Sequence, residues 1–249
     1  HYLNDDALGI VIGNFANEMS SFYVAEPTSG LFSDDAIVTG IGADSRRALT
    51  FGLAFLDVDL DGHLDLVSVN GHVEPEINQV QSSQQYEQPV QLHWNCGGRC
   101  LRSFRLAAST GDLAVPRAGR GAAYADIDGD GDLDLAITQI DGSVALLRND
   151  QALGHHWLRL ALDPAGVSAV GSSVALETAA GRQVRTVMPG RSYLSQVELP
   201  VTFGLGADES PQTVSVRWPD GSSETFTDLA VDRIHTLTRS GSSGTPTSP

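Results

Sequence analysis

Two stretches of this chain place aspartates at the same offsets around a glycine. The first is Asp57-Val58-Asp59-Leu60-Asp61-Gly62-His63-Leu64-Asp65 and the second is Asp126-Ile127-Asp128-Gly129-Asp130-Gly131-Asp132-Leu133-Asp134, so offsets 1, 3, 5 and 9 are carboxylates and offset 6 is glycine in both. Carboxylates this dense repel one another unless a cation lies among them. Oxygen donors on a flexible loop suit a hard divalent ion with a variable shell. That selects Ca²⁺ over Mg²⁺, which keeps several waters and rarely takes an all-protein cage. Offsets 1, 3 and 5 project toward one centre as the chain curls, and Gly62 and Gly131 permit the sharp turn that follows. Offset 7, His63 or Asp132, would then offer its backbone carbonyl, with the His63 side chain pointing outward. Offset 9, Asp65 or Asp134, closes the shell. An acidic surface turn without metal is the plainer alternative, and it does not require such regular offsets. A catalytic role is weaker, because ligation would consume every acid or base in the loop.

The loops are not EF-hands. That motif ends in a glutamate at position 12 and lies between two helices, whereas position 12 here is Ser68 or Ile137. The flanks read as strands: short apolar runs without helical period cover 51–56 and 66–69 around the first loop, and 121–125 and 135–138 around the second. Gly52 and Gly121 each stand five residues before the first aspartate. The stretch from Gly9 to Phe22 has the same frame, with Asn14, Ala16, Glu18 and Phe22 in place of the four aspartates. Two ligand positions are lost there, so the strands are expected to persist without a metal. Leu92-His93-Trp94-Asn95 and Leu146-Leu147-Arg148-Asn149 echo one another after the two loops. Strand, acidic turn, strand and long return describe radially arranged β-units, as in propeller blades.

These residues carry a resemblance. Residues 9–150 resemble the calcium-loop repeats of FG-GAP/VCBS β-propellers, the kind also found in integrin α-subunit heads. Asn70-Gly71-His72, Tyr86 and Arg120-Gly121 point more narrowly to the CRTAC (cartilage acidic protein 1-like) family. From about residue 154 the chain is similar to the ASPIC/UnbV domain. The carriers are His156-Trp157-Leu158, Val170-Gly171-Ser172, Arg185-Thr186-Val187, Ser192-Tyr193-Leu194-Ser195, Phe203-Gly204-Leu205-Gly206 and Val216-Arg217-Trp218-Pro219-Asp220-Gly221. The resulting expectation is an all-β chain: partial propeller-type repeats with two Ca²⁺ loops over 1–152, a small ASPIC/UnbV β-sandwich over 153–238, and a flexible tail over 239–249. Alternating runs at 158–162, 173–177, 183–187, 213–218 and 234–238 support the sandwich independently. Family propellers have more blades than the two clear repeats and one decayed repeat found here. A closed ring is therefore not expected, and the chain reads as a fragment or as an open array capped by another chain.

Composition narrows the partners. Formal charge is −16 over 249 residues, and two Ca²⁺ would add four positive charges to leave −12. Such a surface disfavours nucleic acid and anionic membranes. No apolar run approaches the ~20 residues of a membrane span, and no leader is visible at His1, so a mature or truncated chain is expected. Cys96 and Cys100, in Cys-Gly-Gly-Arg-Cys, are expected to form a disulfide at a hairpin tip in a secreted setting. Two free thiols, or a metal site with His93, are the alternatives. His155 and His156 are adjacent on a strand and face opposite ways, so they cannot share an ion. Tyr193 and Trp218 are expected in the sandwich core. No nucleophile elbow or phosphate-cradling loop occurs.

The expected function is an extracellular, secreted or periplasmic calcium-binding module without catalysis, serving scaffolding, adhesion or assembly. Its partners would be protein or polysaccharide at the cell surface or matrix, or further copies of itself. One rival is a subunit of an oligomer or filament completed by neighbouring chains. Another is an enzyme acting on polysaccharide through Glu74, Glu76 and His72, which would need two carboxyls ~5–10 Å apart in a cleft.

Overall fold

The computed structural model describes residues 8–26, 28–108, 110–179, 181–208 and 213–240. The glycine-and-aspartate frame folds three times into a small antiparallel sheet. The first sheet is β1 (Gly9–Ile12), β2 (Ser21–Ala25) and β3 (Phe32–Asp34). The second is β4 (Thr50–Leu56), β5 (Asp65–Asn70), β6 (Gln91–Asn95) and β7 (Phe104–Leu106). The third is β8 (Gly119–Ala125), β9 (Asp134–Gln139) and β10 (Ala145–Leu147). In the second and third sheets, the aspartate loop joins the first two strands and its ninth residue opens the second strand, through the pairs Leu56↔Asp65 and Ala125↔Asp134. The first sheet keeps the frame: Asn17, at the fourth position of the decayed loop, holds the left-handed backbone (φ 72°) that Leu60 (φ 56°) and Gly129 (φ 82°) hold at the same position.

Adjacent repeat sheets are packed face against face. Phe22, Ile41, Leu66 and Phe104 fill the space between the first and second, with Phe22 and Phe104 edge-on at 5.9 Å. Leu56, Val67, Val69, Ala122, Leu135 and Ile137 do the same between the second and third. The leading strands β4 and β8 lie close because Gly52, at a register shift in β4, has no side chain. A Cβ there would come 2.8 Å from the Arg120 carbonyl oxygen and 3.2 Å from the Ala122 Cβ. Among the described residues none of the sheets closes. Short helices α1 (Ala36–Thr39), α2 (Ile41–Ser45) and α3 (Ile77–Val80) sit in the return segments. They span about one turn each, too short to print a helical period in the sequence.

Beyond the repeats, seven strands form a sandwich. β11 (His156–Asp163) lies between β14 (Val201–Gly206) and, in parallel, β17 (Arg233–Thr238). The facing sheet runs β13 (Gly181–Thr186), β12 (Ser173–Thr178), β15 (Thr213–Arg217) and β16 (Ser223–Phe226). Leu158, Leu160, Val174, Leu176, Phe203 and Trp218 form the core between them, as the alternation requires. Trp218 takes its expected place and donates its Nε1 proton to Glu224 at 3.0 Å. Tyr193 does not pack in the sandwich. It lies 43% exposed on the crossover between β13 and β14, edge-on to Phe51 of the second repeat sheet at 5.1 Å. Left-handed turns at Ser192 and Leu194 carry it outward, and the Leu53 amide donates to the Ser192 hydroxyl at 3.1 Å. Of the expected tail, Arg239 and Ser240 are held by Asp220, Ser222 and Glu224, and 241–249 lie outside the described residues. No helix among the described residues is long and apolar enough to cross a membrane.

Candidate metal centre

The two aspartate loops repeat the same bonds. In each, the first aspartate accepts two backbone amides of its own loop: Asp57 from Asp61 (3.1 Å) and Gly62 (2.9 Å), Asp126 from Gly129 (2.7 Å) and Gly131 (3.2 Å). The fifth position accepts the amide of the seventh, His63 to Asp61 at 2.9 Å and Asp132 to Asp130 at 3.1 Å. This wrapping brings carboxylate oxygens of Asp57, Asp59 and Asp61 within 4.8 Å of one another, and likewise those of Asp126, Asp128 and Asp130.

The ninth residue has a different position. Asp65 accepts the Val58 amide (3.0 Å) and the Asn95 amide (2.7 Å), and Asp134 accepts those of Ile127 (2.9 Å) and Asn149 (2.8 Å). One oxygen holds the second residue of the loop and the other holds the asparagine at the end of the repeat, so the pair braces the loop against that end, and neither residue belongs to the converging trios. This bracing explains the asparagine echo: Asn95 and Asn149 are the repeat ends that the ninth aspartate grips. Their side chains then donate to the Leu64 carbonyl (3.0 Å) and, across to the neighbouring repeat, to the Val58 carbonyl (2.8 Å).

The loops differ in burial. In the first, burial pushes the Asp57 carboxyl up to about 7, with the Asp61 and Asp59 charges adding and the Arg185 guanidinium opposing. Burial raises Asp65 well above the usual carboxylate range and raises Asp59 as well. Burial works on Asp61 in the same direction but is outweighed by hydrogen bonds from His63 and Arg99, which hold it below its ordinary value. The Trp94 indole donates to Asp59 Oδ2 at 2.9 Å, while Asp59 Oδ1 is buried with no hydrogen-bond partner among the described residues. In the second loop, burial raises Asp130 and Asp132. Gln151 donates to Asp132 at 3.0 Å, and Arg148 stands 3.5 Å from Asp128. The His63 imidazole does not point outward. Its Nδ1 lies 3.1 Å from Asp61 Oδ1, and the Cys96–Cys100 hairpin tip closes over it, leaving no room for a side chain at Gly97. That tip carries the disulfide, with Cα atoms 5.6 Å apart, and sends Arg99 onto Asp61.

Both loops face the sandwich, which the spacing of the aspartates could not foretell. In the first, the Gly206 amide donates to the Leu60 carbonyl at 2.8 Å, and His155 Nδ1 lies 2.5 Å from the Asp59 carbonyl oxygen. A Cβ on Gly62 would press on the Gln183 amide, and one on Gly204 would strike Asp57 and Leu60. In the second, Arg159 of β11 forms ion pairs with Asp126 and, at 2.6 Å, with Glu198. The Asp126 amide donates to Glu198 at 3.3 Å, and a Cβ on Gly131 would land on the Trp157 indole. His156 turns to Asp232 at 2.7 Å, so the two adjacent histidines serve different neighbours.

Glu74, Glu76 and His72 line neither the cleft beside Arg185 and Arg191 nor the one beside Arg148 and Gln151. Glu74 accepts the Glu76 amide at 3.2 Å, and its own amide donates to His72 Nδ1 at 3.0 Å. His72 is buried against Phe15, and its carbonyl is gripped by Arg120.

Residues 57–137 match the model of the FG-GAP-like repeat, from the first aspartate of one loop to the strand after the other. Residues 164–244 match that of ASPIC and UnbV. Cartilage acidic protein 1 of Xenopus tropicalis is 26% identical over 272 residues, covering 86% of this chain and 42% of the relative. The proteins of the same name from Mus musculus and Homo sapiens are 36% identical over 117 residues, covering 45% of this chain and 18% of theirs. The resemblance read from the sequence is thus found in both halves of the chain, which spans less than half the length of these relatives.

Proposed function

We propose that this chain is a calcium-stabilised β module of the extracellular space, without catalysis, in which the aspartate loops hold two Ca²⁺ ions and thereby fasten the sandwich to the repeats. The observation that carries the reading is the convergence of three carboxylates in each of two loops, with Asp59 Oδ1 buried and unpartnered in the first. A buried oxygen without a donor is costly, and a hard cation satisfies it and its neighbours at once. Asp57, Asp59 and Asp61, and Asp126, Asp128 and Asp130, would be the carboxylate ligands. The carbonyls of His63 and Asp132 would complete the reach of each loop, and Asp65 and Asp134 would act as braces from the strand side. Bound calcium would supply the positive charge that lets these carboxylates stay ionised. Because the same loops touch the sandwich, its binding energy would become folding and docking energy.

The disulfide suits an oxidising compartment. Scaffolding or assembly is favoured over catalysis because, in the loop after Asn70, the Glu74 carboxylate accepts the Glu76 amide and His72 Nδ1 accepts the Glu74 amide. A role for further copies or a protein partner draws on the first sheet, where Leu8, Ile10, Ile12 and Phe32 are 43–46% exposed, an apolar face of a kind that proteins use for contact.

Elemental analysis of the purified chain should find two calcium ions per molecule. Thermal unfolding with excess calcium should exceed that with EDTA by on the order of 10 °C, from ~2.7 kcal/mol per site at a hundredfold excess over Kd. Absence of bound calcium together with an unchanged melting temperature would overturn the reading.

A further inference from the structure

A cavity of about 390 Å³ opens where the repeat sheets meet the sandwich, and it reaches the first loop at Asp57. Its walls are largely apolar, with Phe55, Leu133, Met188 and Leu199 among them. Two arginines, Arg185 and Arg191, line it together with Tyr124. That combination of volume, apolar wall and few polar groups is the usual constitution of a small-molecule site.

The hydrogen-bond partners that hold the arginines carry no charge, and the charge of the Asp57 carboxyl bears on Arg185 from the first loop. Arg185 donates to the Val184 carbonyl (3.1 Å) and the Gln183 side-chain oxygen (3.1 Å), its guanidinium lies over the Phe203 ring at 5.3 Å, and its Nε is buried without a partner. Arg191 donates to the Met188 (3.1 Å) and Thr186 (2.9 Å) carbonyls. Among the described residues neither makes an ion pair. Arg159 a short distance away shows the contrast, since Asp126 and Glu198 neutralise it.

Two carboxylates also line the cavity, and both are already engaged. Glu198 is taken by Arg159 and the Asp126 amide, and Asp57 is turned to the Asp61 and Gly62 amides. Burial holds the Tyr124 phenol up, and the charges of Arg191 and then Arg185 act the other way, so both guanidiniums bear on that ring. Asp57 offsets part of the Arg185 charge, while Arg191 has no carboxylate within ion-pair distance among the described residues, so burial in this wall leaves the two guanidiniums with a positive surplus that is unfavourable. A planar anion relieves them, and guanidinium groups match a carboxylate in shape.

We propose that this cavity binds a small organic carboxylate with an apolar body, its carboxylate on Arg185 and Arg191 and its body against Phe55, Leu133 and Leu199. The cavity is too small for a folded partner, and its apolar walls select against a bare inorganic anion. The assignment does not call on calcium in the loops, because Arg191, Phe55 and Leu199 lie outside them.

Phenylacetate is a suitable probe, with phenylacetamide as the uncharged isostere and inorganic phosphate as the anion without an apolar body. Binding to the full chain is read by ligand-observed NMR and calorimetry, once in calcium and once in EDTA, with far-UV circular dichroism to confirm the fold in each. Phenylacetate is expected to bind, and the amide and phosphate to bind about tenfold or more weakly. Arg191→Gln should weaken phenylacetate by about the same factor. Leu199→Trp, which fills the cavity without altering charge, should abolish binding. Equal binding of acid and amide, phosphate binding as well as phenylacetate, indifference to both substitutions in folded protein, or no phenylacetate binding to folded wild type would each overturn the proposal. Binding that persists in folded EDTA-treated protein would support it separately from the calcium reading, and binding lost in EDTA while the fold persists would contradict its independence.

Discussion

His93 lies fully buried on β6 and neither ring nitrogen has a hydrogen-bond partner among the described residues. Burial pushes its pKa down to about 4, with Asp44 opposing weakly. The unfolded chain takes up this proton near pH 6.5 and the folded chain only near 4, so within that window the unfolded state holds more protons. The neutral histidine's contribution is therefore complete above about pH 6.5 and lost as pH falls toward 4, by up to about 3 kcal/mol. Urea unfolding at pH 5 and pH 7 should show this loss in wild type and a smaller one in His93→Phe. Equal pH dependence in the two proteins would contradict it. At this scale the sequence was legible where chemistry is local. The carboxylates at offsets 1, 3 and 5 converge because nine residues are enough to wrap them. Trp94, Arg99, Arg159 and Glu198 reach the loops from 33 to 72 residues away in the closest recorded bonds, and no spacing announces such partners. The asparagine echo at Asn95 and Asn149 was visible as a pattern, but its cause, an amide gripped by the ninth aspartate, needed the register of the strands.

Among the elements, the loop glycines separate two physical costs. Gly129 and Gly131 both have positive φ, 82° and 99°, but a Cβ on Gly129 meets nothing within 4 Å whereas one on Gly131 would land on Trp157. Gly129→Ala should lose about 1 kcal/mol from backbone strain alone, while Gly131→Ala should lose that plus the contact with β11, about 1–3 kcal/mol or more. Calorimetric unfolding of the two variants decides this, and equal losses would mean that the loop does not seat the sandwich through this glycine. The strands flanking each loop were readable because apolar runs bounded by glycine and aspartate have few alternatives. Val201–Gly206 was harder to read as a strand because two of its six residues are glycine, and Gly204 is there for its approach to the first loop. The crossover carrying Tyr193 misled because an aromatic residue in a β-rich region usually packs in its own core, and here two left-handed turns send it to the neighbouring sheet.

For the whole molecule, repetition gave the architecture and contact between its halves gave the meaning. Three strand–turn–strand frames were countable from residues alone, and so was the mismatch with a closed ring. That the sandwich rests on the acidic loops was not, since it depends on glycines and arginines whose partners lie in the other half. The first sheet leaves Ile10 and Ile12 43% and 45% exposed, and the proposed assembly role uses this face. Sedimentation velocity should show concentration-dependent association that Ile10→Lys weakens. A single monomer species at every concentration would remove assembly with further copies and leave partner binding.

Hydrogen exchange with and without calcium tests the central claim most directly, because it reads the loops and their contacts at once. If calcium in the two loops locks the sandwich onto the repeats, adding it must slow exchange at 57–65 and 126–134. It must also slow exchange across the contact, at 155–159 and 198–206. Protection confined to the loops would show that calcium binds without fastening the halves, and no protection anywhere would show that the aspartates hold no calcium.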